Sequence, residues 1–256
     1  MRADVHTHTT FSDGSELSAM IGAASDAGLD ALGLTDHCIV TDDAFGRRAQ
    51  YDLVETYERR REVIEATRER VDLTLYDAAE VCYVESETDA TEAFLETAGF
   101  DYTIGSVHFA DAYDYTSDVP YVGESDEFRR AAVERYYDAV VGLVESELFD
   151  VLGHLDLPER LETLRGHSHR EDYERVAAAL ADSRTVPELN AGRINRTLGR
   201  PHPDPSMFDP FDDRGVGFVL GSDSHRPDEL TDRVPVLREL VAEADIEPLG
   251  IDDLLG

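Results

Sequence analysis

The chain has 256 residues, 41% of them hydrophobic, enough to bury the core of an enzyme-sized α/β domain. It carries 56 acidic residues against 23 basic ones, every one an arginine, for a formal net charge of -33. That balance excludes a general nucleic-acid surface, which needs clustered cations against phosphates, and describes a halophilic exterior whose self-repulsion is screened in concentrated salt, where the Debye length falls to about 3 Å at 1 M.

Short apolar runs alternate with helical patterns along the chain, which predicts a parallel β/α arrangement. The predicted strands are Ala3 to His8, Ala31 to Thr35, Leu73 to Val81, Tyr102 to Val107, Val151 to His154, Val186 to Leu189 and Gly217 to Gly221. Helices are predicted near residues 15–27, 49–71, 88–98, 126–147, 170–182 and 229–244, several opened by a small polar or acidic residue able to cap. Residues 199–215, rich in Pro and Gly, read as a loop with at most a short helix. There is no internal repeat or obvious linker, so residues 1–256 are expected to form one domain. No run of about 18 apolar residues occurs, and the N-terminus enters Arg2-Ala3-Asp4-Val5-His6 without an apolar leader. A soluble cytoplasmic protein is expected, with Cys38 and Cys82 as buried thiols, since two cysteines without C-x-x-C spacing make neither a disulfide framework nor a thiolate site.

Six of the nine histidines fall where predicted strands end: His6 and His8 on the first, His37 after the second, His108 after the fourth, His154 in the fifth and His225 after the seventh. In a β/α barrel those ends converge on one mouth, whereas an open doubly wound sheet would spread them along an edge. Histidine is the commonest metal ligand, and His6 and His8, one residue apart on an extended strand, face the same way. Asp223 and His225 repeat that spacing. Each signal has a blander reading: Asp13 as an Asx-turn stabiliser in Ser-Asp-Gly, His37 as a core or capping histidine, Glu80 as a strand-end surface acid. Against the last, a buried unpaired acid is costly, so Glu80 before Val81-Cys82 suits a carboxylate held by metal. Together the set fits two or three divalent ions, and nitrogen and oxygen ligands without thiolate suit Zn, Mn or Fe. His167-Ser168-His169 reads as a capping or solvent-exposed segment, His202 as lining the mouth, Asp36 and Asp156 as acids orienting neighbouring histidines or as turn acids, and Tyr57, Tyr136 and Tyr137 as packing residues.

The order H-x-H, S-D-G, T-D-H, a lone Glu, G-S-V-H, G-H-x-D and S-D-x-H resembles the polymerase and histidinol phosphatase (PHP) superfamily from Asp4 to about residue 240. The segments 101–109, 188–193 and 220–227 look like its monofunctional histidinol-phosphate phosphatases. The resemblance implies a distorted TIM-like (β/α)7 barrel with a trinuclear site at the C-terminal strand ends. His6, His8, Glu80 and Asp223 would hold one ion, Glu80, His108 and His154 a second, and Asp13, His37 and His225 the third. Glu80 and Asp223 would be the catalytic acids, and Arg160 and Arg193 would bind substrate phosphate. The implied reaction is hydrolysis of a small phosphomonoester, L-histidinol phosphate, by metal-activated hydroxide attacking phosphorus. In one respect the chain departs from those phosphatases: they often have histidine where Asp13 stands, and the Ser-Asp-Gly form looks like the nucleotide-hydrolysing branch. A nucleotide or oligonucleotide phosphoesterase and a non-catalytic, metal-stabilised module are therefore the alternatives.

Overall fold

The computed structural model describes residues 1–40 and 53–255. Its parallel strands are β1 (Ala3–Thr7), β2 (Ala31–Leu34), β3 (His37–Cys38), β4 (Thr74–Asp77), β5 (Ala79–Cys82) and β6 (Thr103–Ser106), followed after a small antiparallel hairpin of β7 (Phe109–Ala110) and β8 (Tyr113–Asp114) by β9 (Val151–Leu152), β10 (Val186–Asn190) and β11 (Val219–Gly221). The helices are α1 (Leu17–Asp26), α2 (Leu53–Arg68), α3 (Thr88–Ala98), α4 (Asp126–Glu145), α5 (Arg170–Ala181), a single turn α6 (Asp209–Asp212), α7 (Pro227–Glu243) and α8 (Ile251–Leu255). The six long ones stand where the sequence predicts them, although residues 49–52 of the second prediction lie outside the described residues. Ser125 caps α4 as expected, its hydroxyl accepting from Phe128 N at 3.2 Å.

One sheet has the order β1-β2-β4 and the other β11-β10-β9-β6-β5-β3, all parallel. Since β2 runs on into β3 and β4 into β5, these make seven strand positions, each separated from the next by helix, as a (β/α)7 barrel requires. The outer edges meet: Asp223 N donates to His6 O at 2.8 Å, His8 N to Ser224 O at 2.9 Å, and the Asp4 carboxylate accepts from Ser222 N at 2.9 Å and His6 N at 3.1 Å. Val5, Ala78, Tyr102, Ile104, Val151 and Val219, capped by Ile251 of α8, form an apolar cluster drawn from strands all round this curl. Outside it, α1 packs on α7, and Met20, Leu32, Leu34 and Val234 lie between helices and sheet. A larger outer cluster forms around α4, where Tyr136 and Tyr137 are buried; Tyr57 on α2 packs edge-on to Phe94 and Phe100.

Two predicted strands are corrected. Leu73 to Val81 is not continuous: it breaks at Ala78, so that β4 pairs with β2 while β5 pairs with β3 and β6. The break lets one chain segment serve both sheets of the curl. The fifth strand stops at Leu152, and His154 stands beyond it with φ 28° rather than in extended backbone. A third feature had no sequence signal. The register of β1 on β2 slips by one residue between Asp4 and Thr7, a bulge that re-aims the side chains following it toward the strand ends.

Asp4 sits on the seam between the first and last strands, so its removal should weaken closure. Asp4→Ala leaves two buried N–H groups without their acceptor and is expected to cost about 1–3 kcal/mol per group in urea unfolding, with Asp4→Asn costing less. Burial, opposed by the Ser222 and His6 hydrogen bonds, pushes the Asp4 carboxyl up to about 6. A folded carboxyl that holds its proton longer than the unfolded one lowers stability as pH rises through that window, from about 4 to 6. Unfolding followed across this range should show that loss in the parent chain and a flatter profile in Asp4→Asn.

Candidate metal centre

Glu80, buried in β5, occupies the middle of the strand-end mouth. Its Oε2 lies 2.7 Å from His37 Nδ1, 3.4 Å from His6 Nε2 and 3.6 Å from His8 Nε2. Its Oε1 lies 2.9 Å from His154 Nε2 and 3.6 Å from His108 Nε2, and accepts from Ser106 Oγ at 2.7 Å. The pairing of β5 with β3 sets His37 beside Glu80, and that with β6 sets Cys82 beside Ser106, two residues before His108. His225 Nε2 is 3.3 Å and His37 Nε2 3.7 Å from Asp13 Oδ1, and the rings of His8 and His225 stack at 4.0 Å between centroids. Among the described residues three groups of donor atoms are close enough to share an ion: His6, His8 and Glu80; Glu80, His108 and His154; and His8, Asp13, His37 and His225.

All nine predicted ligands therefore meet at one place, with two differences in grouping. His8 stands between the first and third groups. Asp223 approaches His8 through Oδ1, at 3.6 Å, while its Oδ2 accepts from Arg160 Nη2 at 2.7 Å. Asp223 has φ 52°, a left-handed backbone uncommon for a residue with a side chain; Arg233 Nη1, donating to the Asp223 carbonyl at 2.6 Å and the Ser222 carbonyl at 3.2 Å, holds it there.

The donor set fits metal. His6 Nε2 and both ring nitrogens of His8 are buried without a hydrogen-bond partner among the described residues, although buried polar atoms are nearly always satisfied. Burial, with the neighbouring His225 and His37, pushes His8 down to about 4, which favours the neutral ring with one nitrogen lone pair open to a ligand. Burial likewise takes His108 down to about 3, against the pull of Glu80. For Glu80 itself burial acts upward, but His37, His6 and the hydrogen bonds from His154 and His37 hold it well below the usual carboxylate range. Asp223 is held low in the same way by Arg160, again against burial.

The outer contacts differ from expectation. Among the described residues Asp36 accepts from no histidine: it accepts from Thr9 N at 2.6 Å, Thr9 Oγ1 at 2.7 Å, Ser12 Oγ at 2.9 Å and Arg60 Nη1 at 2.9 Å, and so fixes the loop carrying Asp13. Asp156 binds His202, not His154, and His202 is buried rather than lining the mouth. His169 caps α5, its N–H donating to Asp172 at 2.8 Å. The residue sequence reasoning left without a role is Glu188: it accepts from His6 Nδ1 at 2.9 Å, His154 N at 2.7 Å and Asn190 Nδ2 at 2.5 Å. An acid within the otherwise apolar run of β10 was its signal. Cys38 and Cys82 are both buried thiols.

Above the cluster opens a cavity of about 880 Å³ lined by Glu80, His108, Asp223, Arg160 and Arg193 among others. The Arg193 side chain has no hydrogen-bond or ion-pair partner among the described residues, and burial and the adjacent Arg160 lower its pKa. Gly192 is where the backbone must come close: a methyl there would overlap Asp223 Oδ2 and lie 2.8 Å from Arg160 Nη2.

Residues 4–192 match the model of the PHP domain. The chain is 31% identical over 213 residues to a probable histidinol-phosphatase of Deinococcus radiodurans, covering 81% of this chain and 79% of that one. Its fold superposes with a TM-score of 0.75, at 20% identity and over 97% of this chain and 95% of the other, on the histidinol phosphate phosphatase of Lactococcus lactis, solved with zinc, L-histidinol and phosphate. The family model's span and the share aligned with the Deinococcus protein settle the kinship: the chain belongs to the PHP domain family.

Proposed function

We propose that the chain is a metal-dependent phosphomonoesterase that cleaves L-histidinol phosphate to histidinol and phosphate in histidine biosynthesis. The observation that carries this reading is one cavity with the Glu80 cluster at its floor and Arg160 and Arg193 on its wall, in a PHP-domain chain related to a protein named as a histidinol-phosphatase. His6, His8 and Glu80 would hold one ion, Glu80, His108 and His154 a second, and Asp13, His37 and His225, with His8 beside them, a third. Bound divalent ions supply an activated water near neutral pH and neutralise phosphoryl charge. Glu80, with one oxygen toward each of the first two groups, would serve both. Asp223 stands between the ion cluster and the arginines, one oxygen toward His8 and one on Arg160. Arg160 and Arg193 take the phosphate, their planar donors matching its oxygens.

The nucleotide-hydrolysing alternative rests on Asp13; against it, members of that branch typically carry an inserted subdomain before the fifth-strand histidine. Asp13 lies within reach of both His37 and His225, so a carboxylate serves the third group there. Between His108 and His154 the chain builds only the β7–β8 hairpin, a short turn at Val119–Tyr121 and α4. The Asp13 contacts serve either reading; the short interval favours the phosphomonoesterase.

We further read the acidic, lysine-free exterior as adaptation to concentrated salt in a soluble, cytoplasmic protein of one domain over residues 1–256. No helix among the described residues is long and apolar enough to cross a membrane.

Purified in high salt with Zn or Mn, the protein should release phosphate from histidinol phosphate far faster than from nucleotides or p-nitrophenyl phosphate; a preference for nucleotides would replace this assignment by the alternative. Glu80→Gln and Asp223→Asn should lower that rate by more than the roughly 10- to 100-fold expected on losing an outer partner, whereas Glu188→Gln should fall within that range and reduce metal content measured after dialysis. In unfolding experiments the melting temperature should climb between about 0.1 and 1 M KCl, the range over which the screening length falls from about 10 to 3 Å. A salt-independent melting temperature contradicts the halophilic reading.

A further inference from the structure

Arg160 is held by more than its ion pair. Its Nε donates to His202 Nε2 at 2.8 Å, and its Nη2 donates to Asn190 Oδ1 at 2.6 Å and to Asp223 Oδ2 at 2.7 Å. Its Nη1 has no hydrogen-bond partner among the described residues, and the side chain lines the cavity. On the far side, His202 Nδ1 meets Asp156 Oδ1 at 2.5 Å, and the other Asp156 oxygen accepts from Tyr173 OH at 3.0 Å. His202 and Asp156 are both fully buried, and His202 is further fixed through its backbone, which exchanges two hydrogen bonds with Asn190 at 2.8 and 2.9 Å.

The chemistry of these contacts leaves one arrangement. A guanidinium Nε–H can only donate, so His202 Nε2 presents its lone pair and the ring carries its proton on Nδ1, from which it donates to the Asp156 carboxylate. Asp156 thus selects the tautomer that lets His202 accept from arginine. Burial and the Arg160 cation, against the pull of Asp156, lower the pKa of His202, consistent with a neutral ring. A single 3₁₀ turn, Leu157–Arg160, carries the chain from Asp156 to Arg160, yet the guanidinium is oriented by a residue from the distant Pro-rich segment.

We propose that His202 and Asp156 are positioning residues that lock Arg160 by its Nε edge, leaving Nη1 directed to a phosphate oxygen of the substrate. The proposal rests on the phosphomonoesterase reading for the identity of that anion. The lock itself is a claim about Arg160.

With the metal-loaded protein in high salt, His202→Phe should raise KM for the phosphomonoester and the inhibition constant of inorganic phosphate by about 10-fold or more, the scale of losing an outer orienting partner, at unchanged metal content. His202→Gln, whose amide oxygen can accept the Nε–H, should recover most of the loss. On an Arg160→Ala background His202→Phe should change neither constant further; equal losses on both backgrounds overturn the proposal. The Arg160 Nε–H resonance in ¹⁵N NMR should be present in the parent and shifted or lost in His202→Phe. That signal separates the two readings: a parent that releases no phosphate from any monoester defeats the proposed function, while an Arg160 signal unmoved by His202→Phe defeats the lock. Should His202→Phe fail to fold, Asp156→Asn/His202→Phe, which leaves no buried unpaired carboxylate, takes its place in the same measurements.

Discussion

One buried carboxylate among five imidazoles is the constraint to which the rest of this structure answers. Glu80 has His6, His8, His37, His108 and His154 all within 3.6 Å of its two oxygens. So many polar rings buried together are costly unless something satisfies them, and a cation fits that need. The fold spends several irregularities on bringing them together. The break at Ala78 turns Glu80 into the mouth, the bulge in β1 re-aims the His6–His8 strand, and His154 and Asp223 take backbone angles that extended strands avoid.

A second layer keeps this arrangement from relaxing. Glu188 ties the His6 ring to the backbone of His154, coupling the first strand to the turn after β9. Arg60, buried on α2, bonds Asp36, which in turn holds the loop of Thr9 and Ser12 that leads to Asp13. Glu229 accepts from the His225 and Arg226 amides and pairs with Arg233, whose other amino group holds the carbonyls before His225. These contacts act on ligand orientation from behind, where packing is dense and rotamers are few.

Much of this was legible in the chain. The alternation of apolar runs and helical patterns located the strands and the six long helices, because both periodicities are local. The nine candidate ligands were visible because His and acidic residues at the ends of apolar runs are rare and repeat. What was hidden depends on partners distant in sequence. Nothing near Ala78 marks a strand that changes sheets, since the cause is the pairing with β2 on one side and β6 on the other. His202 among prolines looked like a loop residue because its two partners, Asp156 and Arg160, are more than forty residues away. Asp36 was open to two readings, orienting a neighbouring histidine or holding a turn, and the partners that decide between them, Thr9, Ser12 and Arg60, are again distant in sequence.

The seam between β1 and β11 gives the site a mechanical meaning. His6 and His8 come from the beginning of the chain and Asp223 and His225 from near its end, and the backbone bonds between His6, His8, Asp223 and Ser224 are the stitches that join them. An ion gripped from both sides of that seam would be a clasp on the first and last strands. Chain closure and metal capture would then be one event, with the ring of strands unable to open without surrendering its ion.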